Sequence, residues 1–295
     1  MLVEIAIGDA YGAAFEYAEP TPDRPNDLSG YAKHPRHKIA PGCYTDDTQM
    51  SLAVAEALIE YGAAATRSQF IEKFVLAFKR DPREGYASRF WEFLQSVKDG
   101  AEFAARIDPQ SEKSGAAMRA CPIGVLPDVA LVLQVAERQA RITHDTDGGV
   151  CSAQAAALAT HYFVYRLGSK AGLPRFLDAH VAGDWSRPHA GKVGVEGMTV
   201  VRAAITAIMT ETSLSALLQR CVDFNGDVDT VAAVALGAAS CSEEYSADLP
   251  QALVTGLEGG KWGADYLRIQ DARLMALSNP FGNKAPNTAR PERNL

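Results

Sequence analysis

The sequence predicts a single all-α domain, and three observations lead to that fold class. Apolar residues recur at spacings of three and four along most of the chain, which is the periodicity of an amphipathic helix. Alanine, the strongest helix former, is abundant throughout. No run of alternating apolar and polar residues indicates a β-strand. Two segments, 149–167 and 228–241, are apolar around nearly their whole circumference, which is typical of helices at the centre of an all-α domain.

The predicted helices follow one another in order. Segment 8–16 carries small residues that let another helix approach closely, and Glu16 ends this helix at the mouth of a loop. After Asp46 and Asp47, apolar side chains repeat at helical spacing from Met50 to Tyr61. Further helical patterns lie at about 68–80, 86–98, 128–141, 149–167, 195–210, 213–222 and 228–241.

Proline and glycine mark the loops between these helices. Segment 18–45 contains five prolines, and an irregular stretch of this length inside a compact domain is usually functional. A second loop spans 111–115. Prolines also interrupt the chain from residue 279 onward, so we expect one domain over 1–278 and a mobile tail over 279–295.

Composition limits the possible partners and compartment. The 295 residues are 47% hydrophobic and carry a net charge of −7, so we do not expect general nucleic-acid binding, which requires an excess of Lys and Arg. The five cysteines are scattered and form no metal-binding or redox pair, as expected in a reducing cytosol. We find no signal peptide or transmembrane segment, and therefore expect a cytoplasmic protein without a membrane partner.

Two acidic clusters stand immediately before long apolar helices. Their sequences are Thr-Asp-Asp-Thr at 45–48 and Asp-Val-Asp-Thr at 227–230. Helix capping is the simpler interpretation of each cluster, because Thr and Asp accept hydrogen bonds from free N–H groups. However, two adjacent aspartates exceed what one cap needs, and the same composition occurs twice. Carboxylate and hydroxyl oxygens suit Mg²⁺ and Mn²⁺, so the sequence favours a binuclear metal hydrolase.

Together with three other motifs, these clusters resemble the ADP-ribosylglycohydrolase family. The motifs occur in the family's order and cover most of the chain: Gly8-Asp9-Ala10 with Gly12 and Glu16, Tyr44-Thr45-Asp46-Asp47-Thr48-Gln49-Met50, Gly115-Ala116-Ala117-Met118-Arg119, Thr143-His144, and Gly226-Asp227-Val228-Asp229-Thr230. Each motif is weak alone, whereas the five together are specific.

The resemblance implies an all-α fold with two divalent cations, Mg²⁺ or Mn²⁺, in a central cleft. It implies that the metal ligands are Thr45, Asp46, Asp47, Asp227, Asp229 and Thr230. The implied reaction is hydrolysis of the glycosidic bond between ADP-ribose and an acceptor, in an ADP-ribosylated protein or a small-molecule conjugate. Glu16 or Asp47 would guide a proton in that reaction. The residues expected to bind the substrate are Ser111, Ser114, Gly115, Met118 and His144.

This chain departs from the family pattern at three positions. Ser114 replaces the usual Asn, Ser111 cannot act as the base that an Asp provides in some relatives, and Val228 stands between the last two acidic ligands. Two alternatives therefore stay open: a non-catalytic ADP-ribose-binding relative, and a hydrolase of another nucleotide or glycosyl substrate. The acceptor, whether arginine, serine, threonine, a nucleic-acid end or a small molecule, cannot be read from these motifs.

Overall fold

A computed structural model describes residues 1–278 and contains thirteen α-helices and no β-strand within that range. This confirms the predicted all-α fold class. The helices are α1 Leu2–Gly12, α2 Asp46–Tyr61, α3 Arg67–Arg80, α4 Ser88–Ser96, α5 Gly100–Arg106, α6 Val129–Ala140, α7 Asp147–Val164, α8 Leu173–His180, α9 Gly197–Thr210, α10 Leu214–Asp223, α11 Val228–Ala239, α12 Gln251–Gly256 and α13 Ala264–Met275.

The longer periodic patterns predicted helices correctly, but four of the shorter or less buried helices were not predicted from the sequence. Every segment predicted to be helical overlaps one of α1–α4, α6, α7 or α9–α11. Helices α5, α8, α12 and α13 were not predicted, because the first three have eight residues or fewer and α13 buries few side chains. The tail predicted for 279–295 lies outside the described residues, so the division of the chain at 278 stays a prediction.

Helix α11 forms the centre of the molecule. All twelve of its residues are buried, and helices α1, α7, α9 and α10 pack around it. The contact with α1 is close because α1 presents glycine at two positions. A Cβ atom on Gly8 would lie 2.7 Å from the Ala232 carbonyl oxygen, and one on Gly12 would lie 2.5 Å from the Asp229 Cα atom. The small residues of α1 therefore allow the helix approach that the sequence predicts.

Helix α1 also packs against α2, and this places it between the two helices whose starts carry the acidic clusters. The segment between α1 and α2, apart from a short 3-10 helix at 13–15, contains no helix and forms the long loop that the prolines predict. As a result, the starts of α2 and α11 lie on either side of the C-terminal half of α1. This arrangement positions the candidate site.

Candidate carboxylate centre

Asp9, on α1, holds the start of α2. Its side chain is fully buried and accepts four hydrogen bonds: from the Thr45 backbone N–H at 2.9 Å and hydroxyl at 2.7 Å, and from the Thr48 backbone N–H at 3.0 Å and hydroxyl at 2.5 Å. A buried carboxylate needs such donors to offset its lost hydration. The Thr45 hydroxyl uses its hydrogen on Asp9, which leaves its oxygen lone pairs free to face a cation.

Helix capping by the acidic clusters themselves is ruled out at both starts. Neither the Thr45 side chain, at the start of α2, nor the Asp227 side chain, at the start of α11, accepts a hydrogen bond from a backbone N–H of its own helix. The start of α7 provides a contrast within the same molecule. There the Thr146 hydroxyl accepts a hydrogen bond from Gly149 N–H at 3.1 Å in the usual manner. The two candidate metal-binding starts are thus built differently from an ordinary acidic start.

The start of α11 is positioned mainly by its backbone. Asn225 and Gly226 adopt left-handed conformations, with φ of 58° and 103°, and turn the chain into the helix. A side chain at Gly226 would overlap the Val193 carbonyl group, so this turn requires glycine. Asp227 then accepts hydrogen bonds from the Ser114 hydroxyl at 2.9 Å and from the Thr230 hydroxyl at 3.0 Å.

Glu16 and the two aspartates of the α11 start form one carboxylate cluster, and the aspartates of the α2 start lie close enough to interact electrostatically with it. One carboxylate oxygen from each of Glu16, Asp227 and Asp229 lies within 4.8 Å of the other two. Among the residues that the structure describes, no such group of three includes Asp46 or Asp47. Oδ1 of Asp47 and Oδ1 of Asp229 are both buried without a hydrogen-bond partner. Unpaired buried carboxylate oxygens are costly, and a divalent cation is the group that this set of oxygen donors fits.

The electrostatics of the cluster lead to the same conclusion. Burial, reinforced by the charge of Asp9, raises the pKa of Asp46 and Asp47 well above the ordinary value for aspartate. Burial also raises the pKa of Asp229, with added repulsion from Glu16 and Asp227, and raises the pKa of Asp227 to about 6. Each shift arises because a charged carboxylate here is desolvated beside other carboxylates. A bound cation would reverse this penalty.

Glu16 lies where the long loop meets the cluster, and its side chain is only 18% exposed. It is therefore not the solvated surface residue that its isolated position suggests. Its carboxylate lies 3.2 Å from His34 Nε2 and 2.8 Å from Arg36 Nη2. Burial alone would raise the pKa of Glu16, but the His34 hydrogen bond and the Arg36 charge outweigh it and lower that pKa. Glu16 is consequently ionised at neutral pH.

The predicted substrate-binding residues lie next to the α11 start. Ser114 is buried and bonded to Asp227, and a Cβ atom on the adjacent Gly115 would lie 2.9 Å from His144 Cε1. His144 is itself buried. Ser111 is half-buried and its carbonyl accepts a 3.3 Å hydrogen bond from Thr146, whereas the Met118 side chain lies in the hydrophobic core. Ser114, Gly115 and His144 therefore adjoin one another and the carboxylate cluster.

Three positions near the centre were given no role from the sequence. Asp9 belongs to a motif, but no role was assigned to it. The signal that could have indicated a role is its charge, since it lies among small apolar residues on a buried helix. Gly85, with φ of 113°, packs its backbone against the Asp46 carboxylate and the Thr45 side chain. Arg119, also within a motif, is 1% exposed. Nothing in the local sequence around Gly85 indicates its contact with α2.

Two surface cavities lie near the long loop. One, of about 230 Å³, lies beyond Gly85 and is also lined by His37, Glu84, Trp91 and Glu92, among others. The other, of about 540 Å³, is lined by Glu19, residues 189–192, Arg220 and residues 223–225. The second cavity is larger but contains none of the predicted site residues. The smaller cavity likewise contains none of them, but it includes Gly85, whose backbone packs against Asp46 and Thr45.

Comparison with known proteins agrees with this geometry. The ADP-ribosylglycohydrolase family model matches residues 1–281. The chain is 24% identical over 250 residues to the ADP-ribosylarginine hydrolase Tri1 of Serratia proteamaculans (strain 568), and 22% identical over 256 residues to the protein of that name from Pseudomonas putida (strain GB-1). In both cases the match covers 79% of this chain and 67% of the relative.

A solved structure described as an ADP-ribosylglycohydrolase-related protein complex has the same fold. It superimposes with a TM-score of 0.70 at 22% identity, over 94% of this chain and 95% of the other. The family match spans nearly the whole chain and includes every motif that forms the carboxylate centre. The protein belongs to the ADP-ribosylglycohydrolase family.

Proposed function

We propose that the protein is a divalent-metal-dependent hydrolase that cleaves the glycosidic bond between ADP-ribose and an acceptor. The observation that carries this proposal is the pair of buried, unpaired carboxylate oxygens, one on Asp47 and one on Asp229. They belong to the two acidic helix starts, which meet beside α1. A protein that only needed to fold would have no reason to bury both without donors.

The proposed metal ligands are oxygen atoms from both helix starts, a donor set suited to two Mg²⁺ or Mn²⁺ ions. They are Thr45, Asp46, Asp47, Asp227, Asp229 and Thr230. Divalent cations bound there would supply positive charge that orients the ribose hydroxyls and makes a water more acidic.

The remaining steps fall to side chains of this chain. Glu16 is ionised at neutral pH and lies beside Asp227 and Asp229, so it can accept a proton from the attacking water. Asp47 is the second candidate for this role. Ser111, Ser114, Gly115, Met118 and His144 would hold the ribose and diphosphate. Positive charge develops on the ribose as the bond to the acceptor breaks, and the surrounding carboxylates stabilise that charge.

An arginine side chain is the acceptor that we propose first. Two relatives are named as ADP-ribosylarginine hydrolases. The cavity of about 230 Å³ next to Gly85 supports the same choice, since Glu84 and Glu92 provide negative charge and Trp91 an aromatic ring. A guanidinium group is attracted both to carboxylates and to the face of an indole.

The decisive experiment measures release of free ADP-ribose from an ADP-ribosylated arginine substrate by chromatography, with Mg²⁺ or with EDTA. We expect release with Mg²⁺, loss of release with EDTA, and recovery when Mg²⁺ is restored. Asp229→Asn is the matched control, because it removes one proposed ligand charge at constant shape. Tight ADP-ribose binding without release would instead indicate the non-catalytic alternative, and full activity after metal removal would rule out metal dependence.

A parallel panel of substrates tests the acceptor. It includes ADP-ribosylated serine and threonine peptides, ADP-ribosylated nucleic-acid ends and small ADP-ribose conjugates. Release from one of these but not from the arginine substrate would overturn the arginine proposal while retaining the hydrolase. Cleavage only of an unrelated nucleotide or glycoside would favour the other alternative.

We also propose a cytosolic setting. None of the five cysteines forms a disulfide, which suits a reducing compartment. Within residues 1–278, none of the helices combines the length and the apolar character required to cross a membrane.

A further inference from the structure

Arg119 is a buried cation whose hydrogen-bond acceptors are all neutral. Its Nε donates to the Gln139 side-chain oxygen at 2.6 Å, and its Nη2 donates to the Gln139 carbonyl at 3.1 Å and to the Thr143 hydroxyl at 2.8 Å. The guanidinium also lies over the Phe74 ring, 4.5 Å from its centroid. Burying a guanidinium is costly, so its fixed position requires a physical explanation beyond packing.

The Thr143 hydroxyl connects Arg119 to His144 by hydrogen bonds. The Thr143 hydroxyl oxygen lies 2.7 Å from His144 Nδ1 and also receives the Arg119 hydrogen bond. A guanidinium only donates, so the Thr143 oxygen accepts from it. Of these two partners, only Nδ1 of His144 can accept the hydrogen of the buried Thr143 hydroxyl. Nδ1 therefore carries a lone pair, and in a neutral ring the hydrogen lies on Nε2.

The His144 ring is neutral over the physiological range. Its burial, together with the positive charges of Arg119 and Lys113, lowers its pKa to about 3. One of its two nitrogens therefore donates and the other accepts, and the neighbouring hydroxyl decides which.

The Nε2 edge of His144 faces the predicted substrate loop. A Cβ atom on Gly115 would lie 3.2 Å from Nε2, so glycine leaves room at this edge. The preceding residue, Ser114, is bonded to Asp227 in the carboxylate cluster. An N–H group at this point can donate to a ribose or diphosphate oxygen, whereas a lone pair would repel those oxygens.

We propose that Arg119 is a positioning residue that acts through Thr143 to hold His144 with its hydrogen on Nε2, so that the ring donates a hydrogen bond to ADP-ribose. The ligand in this inference rests on the proposed function. The tautomer does not, because it follows from hydrogen bonds within the protein.

Long-range ¹H–¹⁵N NMR spectra of histidine-labelled protein read the tautomer directly, without ligand. We expect His144 to show a protonated Nε2 and an unprotonated Nδ1, unchanged from pH 8 to pH 5, with assignment by His144→Gln. His161 is the internal control, since its Nδ1 lies 3.1 Å from the Gly124 carbonyl oxygen and must therefore carry the hydrogen. The same spectrum should thus contain both tautomers. A His144 signal with protonated Nδ1 would overturn the inference.

Substitution of Thr143 tests whether its hydroxyl sets the tautomer of His144. Thr143→Val removes the hydroxyl at nearly constant shape and should give a mixture of His144 tautomers, with ADP-ribose affinity by calorimetry about 2-fold weaker for an equal mixture. Thr143→Ser restores the hydroxyl and should restore both measurements, while His161 stays unchanged in each variant. An unaltered His144 spectrum in Thr143→Val would contradict the inference.

Substitution of Arg119 tests whether this residue sets the tautomer of His144 through Thr143. Arg119→Met removes the hydrogen bond that fixes the Thr143 hydroxyl, so that hydroxyl can turn away from Nδ1, and both tautomers should appear in a protein that still melts cooperatively. If that variant does not fold, Thr143→Val decides the question alone. Wild-type protein that shows the expected tautomer but no ADP-ribose binding would overturn the proposed function and the ligand assignment, and would leave the tautomer assignment intact.

Discussion

The starts of α2 and α11 carry similar acidic sequences but are held in place by different means. The α2 start is fixed by one buried side chain, Asp9, which accepts hydrogen bonds from Thr45 and Thr48. The α11 start is fixed by a left-handed turn at Asn225 and Gly226. The difference shows that ligand chemistry and structural support are separate features of a site. The charged Asp9 carboxylate holds the oxygen donors of the α2 start, whereas the backbone turn holds the similar donors of the α11 start.

Helix α1 supports both starts from adjacent turns. Asp9 bonds to the α2 start, and Gly12, three residues later, packs against the backbone of Asp229 at the α11 start. Residues three apart lie on neighbouring parts of one helix face. The short motif from Gly8 to Gly12 therefore determines how far apart the two acidic clusters stand. The following predictions test whether the two starts act as one site despite their different supports.

The largest expected effect comes from removing one ligand charge from each start in turn. Asp46→Asn and Asp229→Asn should each lower kcat by about 10³-fold or more, because each change weakens the charge that holds the cations. Steady-state kinetics provide the measurement, and helical circular dichroism should stay unchanged. If only one of the two variants loses activity, the starts do not form a common site.

Glu16 belongs to neither start, and its substitution separates proton transfer from metal binding. Glu16→Gln should lower kcat by about 10²-fold or more, since it removes a proton acceptor at nearly constant shape. Metal content and ADP-ribose affinity should stay close to wild type, as measured by elemental analysis and calorimetry. Asp23→Asn, at an exposed carboxylate of the same loop, is the control and should have no effect. A wild-type rate in Glu16→Gln would return the proton transfer to Asp47.

The difference in support predicts unequal losses of stability. Asp9→Ala leaves the buried donors of Thr45 and Thr48 without an acceptor and should cost about 3 kcal/mol of unfolding free energy. Ser114→Ala removes one hydrogen bond to Asp227 and should cost only about 1 kcal/mol. Urea unfolding monitored by circular dichroism measures both. Equal losses would mean that the α11 start depends on side-chain hydrogen bonds as much as the α2 start does.

The pH dependence of stability should reverse when metal is added. Folding raises the pKa of the clustered aspartates, that of Asp227 from 3.8 to about 6, so the folded protein binds more protons than the unfolded chain. Metal-free protein should therefore lose stability as pH rises from about 4 through 6 and above.

Bound cations favour the ionised carboxylates, so stabilisation by Mg²⁺ should be small at pH 5 and larger at pH 8. A Mg²⁺ concentration of 100 times Kd should stabilise the fold by about 2.7 kcal/mol, which corresponds to roughly 4 °C in Tm for a chain of this length. Differential scanning calorimetry provides the measurement, with the double variant Asp46→Asn/Asp227→Asn as control. The same rise in that variant would locate the metal site elsewhere.

Much of the fold could be predicted from local patterns. Helices such as α7 and α11 repeat apolar residues over three turns or more, and their burial follows from apolar side chains on nearly every face. Helices α5, α8 and α12 are too short for a period to emerge. Helix α13 has length enough, but only four of its twelve residues are buried.

The candidate site was predicted less completely than the fold. The acidic clusters indicated oxygen ligands and a shared binuclear centre from residue chemistry alone, whereas the substrate-binding residues depended on the family resemblance. The roles of Asp9, Gly85 and Arg119 were not predicted, because each depends on a partner that is distant in sequence. Asp9 bonds to Thr45, 36 residues away, and Arg119 to Thr143, 24 residues away.

The sequence by itself determined that the chain is helical, that two helices begin with hard oxygen donors, and that a proline-rich loop adjoins Glu16. These properties follow from side-chain chemistry and local periodicity, which act over a few residues. Only the tertiary structure decided that α1 brings both starts together, that oxygens of Asp47 and Asp229 are buried without partners, and that the Thr143 hydroxyl lies against Nδ1 of His144. Those features arise from contacts such as Ser114 with Asp227, 113 residues apart, and local periodicity does not encode distances between helices.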